Sequence, residues 1–379
     1  MAATEEKFKE IFSLSQDEKL AEVGGGHGQK GVDFQRYWAM VRIFELKHVD
    51  APDFLILFES VQDLAELDSE TTPSKIDIYQ IKKKDAGEWS FNSLTGLQNP
   101  KPGKTNKIDA DSVSKSALGK LYRASVAFQY LKSQIHFVSN AGCDFPLAAT
   151  GKAAKNLVSL ASDLDAHYVC ALRDAFALLH DPQGPVPDLN NLSLRKTTLH
   201  PDDQERLALG AAVEYLTDHM PDHAGQAKSL VDLLFARLSA LGRQTNKITS
   251  FNELRSQRGF SKKEMDAALN NLENIPDLKK YLEMMLEHLA TEGLGPVKRI
   301  SVLSGATHYF TSLVTGHTTS QETALIDDCC ALAPEIVVAS PMLPILESHV
   351  AALKAKYSAV RDSQIFAYLL IQVSKHAAT

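Results

Sequence analysis

The chain has 379 residues, 44% of them hydrophobic and 23% charged, with a net charge of −7. That length holds two ordinary domains or one with a large extension, and the apolar fraction excludes a disordered chain. Cys143, Cys170, Cys329 and Cys330 show no CxxC spacing and no apolar run reaches about eighteen residues, so neither a zinc site, a disulfide scaffold nor a membrane span is expected, and a reduced, cytoplasmic setting follows.

Residues 1–22 read as a short amphipathic helix rather than a signal peptide. Gly24-Gly25-Gly26-His27-Gly28 is a flexible lead, not a phosphate-binding loop, because no GK[ST] follows and no strand precedes it. From Asp33 the apolar residues Phe34, Tyr37, Trp38, Val41 and Phe44 fall at helical spacing, so a helix is expected to about Lys47. Asp53–Phe58, Val61–Leu67 and Lys75–Lys83 read as three strands. Their apolar residues lie on both faces, which predicts a sheet covered on both sides. A loop rich in Gly, Pro, Asn and Lys spans 85–110. A helix over 112–132 and a short strand over Ile135–Ser139 follow. The first part is therefore an α/β domain with an αβββαβ core.

Beyond about residue 150 the pattern is almost all helix, over 161–180, 202–220, 224–243, 261–270, 276–292 and 344–359. Segment 296–315 is ambiguous, and Glu335–Ala339 fits a short strand. The expected organisation is an α/β domain over 1–145 and a mostly α-helical region over 146–379, the boundary falling within 141–160. The helix Val231–Leu241 carries Leu233, Leu234, Leu238 and Leu241, more apolar surface than an isolated helix hides. Part of it belongs in the local core, and the rest suits assembly.

Polar residues stand where the strand pattern wants apolar ones. Asp63 shares a face with Val61, Ala65 and Leu67, and a carboxylate there is costly unless it is paired or holds a metal. Gln80 and Lys82 are two apart, so they share a face of the third strand. If the second and third strands are neighbours, Asp63, Gln80 and Lys82 converge. Oxygen donors from Asp63 and Gln80 suit Mg²⁺ or Mn²⁺, and Lys82 adds a cation beside a phosphate. That set suits metal-assisted phosphodiester hydrolysis. Plainer readings stand beside it: Asp63 as a turn or edge residue, and Lys82-Lys83-Lys84 as a solvated strand end. Lys101, Lys104, Lys107, Lys115, Lys120 and Arg123 form a basic stretch after the third strand. It fits either a phosphate-backbone footprint or a solvated face. The thirteen histidines show no HExxH spacing, and His167 and His219 read as structural or solvated.

The order αβββαβ, with Asp63 on the second strand and Gln80-Ile81-Lys82 on the third, resembles the PD-(D/E)xK nuclease superfamily, Gln standing for the usual acid. The set Gly31-Val-Asp-Phe-Gln35-Arg-Tyr, Glu59-Ser-Val-Gln-Asp63, Tyr79-Gln-Ile-Lys82 and Phe137-Val-Ser-Asn140 resembles, over roughly 24–145, the double-stranded DNA endonuclease domain of bacterial anti-phage proteins. These include CD-NTase-associated endonucleases and stand-alone nucleases that work with a HerA-type hexameric ATPase. The resemblance implies a restriction-endonuclease-like fold, double-stranded DNA as substrate, and Asp63, Gln80 and Glu59 toward Mg²⁺ or Mn²⁺. It also implies Lys82 in catalysis, Gln35 placing water or phosphate, a role in phage defence and a HerA-type partner. Cutting both strands favours a homo-oligomer. Glu59 also reads as the start of a turn, and Gln35 as a structural hydrogen bond to the sheet. The competing function is a catalytically silent DNA-binding or assembly protein that keeps the nuclease fold; a further one is a helical interaction protein capped by the first domain.

Overall fold

In the computed structural model, residues 2–17, 20, 29–100, 108–180, 186–200, 202–241, 248–273, 278–315 and 319–378 are described. The glycine lead at 24–28 and Lys101, Lys104 and Lys107 lie outside them. The chain divides into two units, one of residues 1–211 and 238–266, the other of 212–237 and 267–379.

The elements of the first unit run α1 (Ala2–Ser15), α2 (Gln29–His48), β1 (Leu55–Ser60), β2 (Gln62–Leu67), β3 (Lys75–Lys82), α3 (Phe91–Thr95), α4 (Ala110–Lys115), α5 (Ala117–Ala127), β4 (Lys132–Ser139), β5 (Val158–Leu160), α6 (Ala166–Ala177) and β6 (Leu192–Lys196). Then come α7 (Gln204–His219), α8 (Ala227–Ala240), α9 (Phe251–Arg258), β7 (Gly259–Ser261) and α10 (Lys262–Glu273); α7, α8 and α10 cross from one unit to the other. The helix expected over 112–132 is two helices. Ser116 ends α4 and caps α5, its hydroxyl accepting from the Gly119 N–H.

The seven strands form one sheet in the order β5-β6-β4-β3-β2-β1-β7. Neighbours β3 and β4, and β4 and β6, are parallel; the other pairs are antiparallel. A parallel pair needs a crossover, and α4 and α5 supply it between β3 and β4. One face presents Leu57, Ala65, Ile78, Ile135 and Phe137 to Leu118, Leu121, Tyr122 and Phe176 in a continuous buried core. On the other face Trp38 of α2 meets Tyr79 of β3 at 4.9 Å between ring centroids. Cover on both sides therefore holds for the central strands, but Val158 and Leu160 of edge strand β5 are exposed.

β5, β6 and β7 correct the expectation of almost pure helix beyond residue 150. Runs of three to five residues are too short to show a period, and β7 joins β1 from some two hundred residues away. The first unit thus extends well past residue 145.

The second unit contains α11 (Leu278–Thr291), α12 (Pro296–Thr315), α13 (Ser320–Val337), α14 (Leu343–Lys356) and α15 (Asp362–Ala378). Every residue from Ile365 to Ser374 is buried, so α15 is the hub against which α11 to α14 pack. At Gly305 of α12 a Cβ would lie 2.4 Å from the Ser363 carbonyl oxygen, and only glycine permits that approach. The strand expected over Glu335–Ala339 is the end of α13. Leu325, Cys329, Ala333 and Ile336 are buried at helical spacing, and that outweighs a short β-branched run.

Candidate active site

Pairing of β2 with β3 runs from Leu67↔Ile76 to Leu64↔Tyr79. One step further, that register sets Asp63 opposite Gln80. There the backbone ladder gives way to side chains. The Ile81 N–H donates to Asp63 Oδ2 at 2.7 Å, and the Ile81 carbonyl accepts from Gln35 Nε2 at 3.4 Å. In a strand the N–H and C=O of one residue point to the same edge, so Asp63 and Gln35 together satisfy the edge that β2 leaves open. Asp63 is 4% exposed and Gln80 1%, while Lys82 is half-buried at the strand end. Asp63 is thus anchored on the backbone of Ile81, the residue that separates Gln80 from Lys82 along β3. Gln35 makes the structural bond to the sheet that was one of its two readings.

Glu59 sits apart from this anchor. It has φ 49°, and Val61 has φ 66°, a left-handed pair around buried Ser60 that forms the β1–β2 turn. The Glu59 carboxylate lies 3.7 Å from Arg36 Nη2, and its carbonyl accepts from Arg258 Nη1. Arg36 is buried, stacks on Phe58 at 4.6 Å and donates to the Leu241 carbonyl at 2.9 Å. Burial holds the Arg258 guanidinium below its ordinary pKa, against the opposing pull of Glu59. Residue type alone does not reveal that two arginines from separate helices grip this turn, although Arg36 stands next to Gln35 in the motif.

The register pairs Gln80 with Phe137 and Lys82 with Ser139. Trp89 joins that face. Its ring meets Phe137 edge-on at 5.5 Å, and its Nε1–H donates to Ser139 Oγ at 2.8 Å. Sequence reading passed over Trp89, whose only signal is a lone aromatic in a polar loop.

On the opposite face a buried polar network braces β3. Arg42 forks onto Glu66 with two 2.9 Å bonds, and Tyr79 Oη donates to Glu66 at 3.1 Å. His136 Nε2 donates to Asp77 at 2.8 Å, its Nδ1 accepts from Ser193 Oγ at 2.6 Å, and Arg195 Nε donates to that hydroxyl at 3.1 Å. Asp77 accepts only, which fixes the imidazole proton on Nε2. Burial lowers the His136 pKa despite Asp77. Burial would raise the Asp77 carboxyl, but bonds from His136 and Lys75 hold it below its ordinary value.

Of the basic stretch, Lys115 pairs with Asp111 at 2.6 Å, while Lys120 and Arg123 are half-buried on α5. His167 and His219 are exposed, and His219 rests on Tyr215. Among the described residues, no three His, Cys, Asp or Glu side chains gather as a metal cluster, and no helix is long and apolar enough to cross a membrane.

A family model described as Cap4, dsDNA endonuclease domain, matches residues 23–242. The chain belongs to this family. The match makes it a DNA endonuclease by family, with DNA as its substrate. It takes in α2 to α8 and β1 to β6, so the likeness runs far beyond residue 145. No curated protein and no solved structure matches the chain.

Proposed function

We propose that the chain is a Mg²⁺- or Mn²⁺-dependent endonuclease that cleaves double-stranded DNA at the end of β3, through a restriction-endonuclease-like core. The observation that carries this reading is the Asp63 carboxylate seated on the Ile81 N–H, between Gln80 and Lys82. The donor set suits a hard cation: one carboxylate and one amide carbonyl. Asp63 and Gln80 would hold that ion. When bound, it polarises the phosphate and makes water a stronger nucleophile. The Ile81 N–H fixes the carboxylate before any ion arrives, so little reorganisation is needed. Lys82 places its ammonium where negative charge grows on the phosphate. Gln35 holds the same strand edge from the α2 side and so sets the height of Gln80 and Lys82. The ion pair with Arg36 favours Glu59 as the turn residue, and a ligand role requires that pair to open.

Defence against phage and a HerA-type hexameric ATPase partner complete the proposal and rest on family resemblance; a cytoplasmic location rests on the cysteine usage. Two-strand cutting is simplest with two copies, so the working form is a homo-oligomer. Lys101, Lys104, Lys107, Lys115, Lys120 and Arg123 are proposed as phosphate-backbone contacts. The test is plasmid cleavage by the full chain, with and without a HerA-type protein, in Mg²⁺, Mn²⁺ and EDTA. Lys82→Ala should lose about a hundredfold or more in rate while still binding duplex. A duplex that is bound but left whole in every mixture would favour the silent DNA-binding protein.

A further inference from the structure

The motif Phe137-Val-Ser-Asn140 has no part in the chemistry above, yet its last two side chains reach across to the segment after β3. The Lys84 N–H donates to Asn140 Oδ1 at 2.8 Å, and Asn140 Nδ2 donates back to the Lys84 carbonyl at 2.7 Å. A side-chain amide thus imitates one more rung of the β3–β4 ladder beyond Lys82↔Ser139. Five residues on, the loop is pinned again. The Trp89 N–H donates to the Gly142 carbonyl and the Asp144 N–H to the Trp89 carbonyl, both at 2.8 Å. Between these pins Lys84 Nζ lies 4.5 Å from the Trp89 ring centroid and donates to the Glu88 carbonyl at 2.6 Å. Ser139 holds the indole from behind.

A lysine at a strand end ordinarily keeps a mobile head, and ordering it costs entropy. Here backbone, ring and ammonium are already fixed, on the face shared by Gln80 and Lys82. The acids nearby do not cancel the cation: Asp85 is drawn off by Lys83 at 2.8 Å, Asp144 pairs with Lys152, and the exposed Glu88 turns its carbonyl to Lys84. A half-buried indole beside a fixed ammonium matches one chemical unit of the substrate, an apolar deoxyribose joined to an anionic phosphate. We propose that Lys84 and Trp89 form a preorganised seat for a sugar–phosphate unit neighbouring the one that is cut, with Asn140 and Ser139 as its positioning residues. The seat rests on the reading of Asp63, Gln80 and Lys82 as the cleavage site.

The experiment uses the full chain carrying Asp63→Asn, a short DNA duplex and a titration of salt. Trp38 and Trp89 are the two tryptophans, and Trp38 is buried against Tyr79, so a fluorescence change on binding reports Trp89. Lys84→Met should weaken duplex binding about tenfold and lower the salt slope by roughly one, and Lys84→Arg should restore both. Trp89→Phe should abolish the fluorescence change. Asn140→Ala leaves both side chains of the seat in place, and should reproduce the Lys84→Met loss in weaker form in a chain that stays folded. Binding of unchanged strength and salt slope in folded Lys84→Met, with no Trp89 signal, overturns the seat even where the parent chain cuts DNA. A clear Trp89 signal and a Lys84-dependent salt slope in a chain that never cuts would keep the seat and remove the cleavage reading.

Discussion

Asp63 has one observed duty and one proposed, and a pair of substitutions separates them. Its Oδ2 closes the Ile81 N–H at 2.7 Å, and both residues are buried. Asp63→Ala strands that N–H with no acceptor, which costs about 1–3 kcal/mol. For a unit of this size each kcal/mol moves the melting temperature by about 2–4 °C, so the alanine variant should melt roughly 2–12 °C lower. Asp63→Asn keeps a carbonyl oxygen at the same position and loses only the charge assistance of the bond, so its melting temperature should fall far less. Cleavage should tell the opposite story. Both variants lack the carboxylate, and both should lose about a hundredfold or more in rate. Differential scanning fluorimetry beside a plasmid-nicking assay reads the two effects separately. Asn at 63 cutting at the parent rate would mean that the carboxylate merely replaces a rung of the ladder. Ala and Asn melting together would refute the Ile81 anchor.

Metal dependence should appear without turnover: excess Mn²⁺ raises the melting temperature of the parent chain, EDTA reverses the rise, and Asp63→Asn removes it, since saturating a site a hundredfold above its dissociation constant stabilises by about 2.7 kcal/mol. Acid should act through His136, whose buried imidazole stays neutral below the ordinary 6.5 while the unfolded chain gains a proton, so stability falls as pH drops from that value. Asp77 adds a later loss, present above its ordinary 3.8 and fading as pH falls through its lower folded value. Urea unfolding from pH 7.5 to 5.5 should therefore be steeper for the parent than for His136→Gln, by at most about 1.4 kcal/mol per unit below 6.5; parallel slopes would contradict it. Gly305→Ala should loosen the second unit by about 1–3 kcal/mol, seen as faster amide exchange along α15, because the new methyl meets backbone rather than a movable side chain.

Much of the first unit was legible because β1 is a continuous apolar run and β2 and β3 carry apolar residues at a period of two, and Asp63 stood out as a carboxylate on an apolar face. Lys82 and Gln80 followed from a period of two. What stayed hidden depends on contacts far apart in the chain. Arg36 and Arg258 close on Glu59 from α2 and α9, separated by more than two hundred residues. The anchoring of Asp63 on Ile81 depends on where β2 leaves β3, and periodicity carries no information about that point. β7 has three residues, so its pattern is indistinguishable from a loop until β1 supplies a partner. In the second unit the signal was present and unread: Ile365-Phe-Ala-Tyr-Leu-Leu-Ile371 is apolar on every side, the mark of a helix buried all round.

The candidate site arises where regular pairing stops. A left-handed turn at Glu59 and Val61 ends β1, and β2 enters through Gln62 and Asp63. Such a conformation costs of order 1–3 kcal/mol at a β-branched residue, and it persists only where its surroundings hold it. Arg258 on the Glu59 carbonyl and Arg36 beside the Glu59 carboxylate are those surroundings. The turn brings Asp63 to the Ile81 N–H, and Gln35 closes the carbonyl of the same residue. One peptide edge is therefore shared between holding the sheet together and aiming the carboxylate proposed to act in cleavage. A uniform ladder would satisfy Ile81 with backbone and leave no place for a carboxylate at that edge. The interruption is what gives the sheet its candidate site, and the two arginines hold the turn that leads into it, although neither is proposed to touch the reacting phosphate.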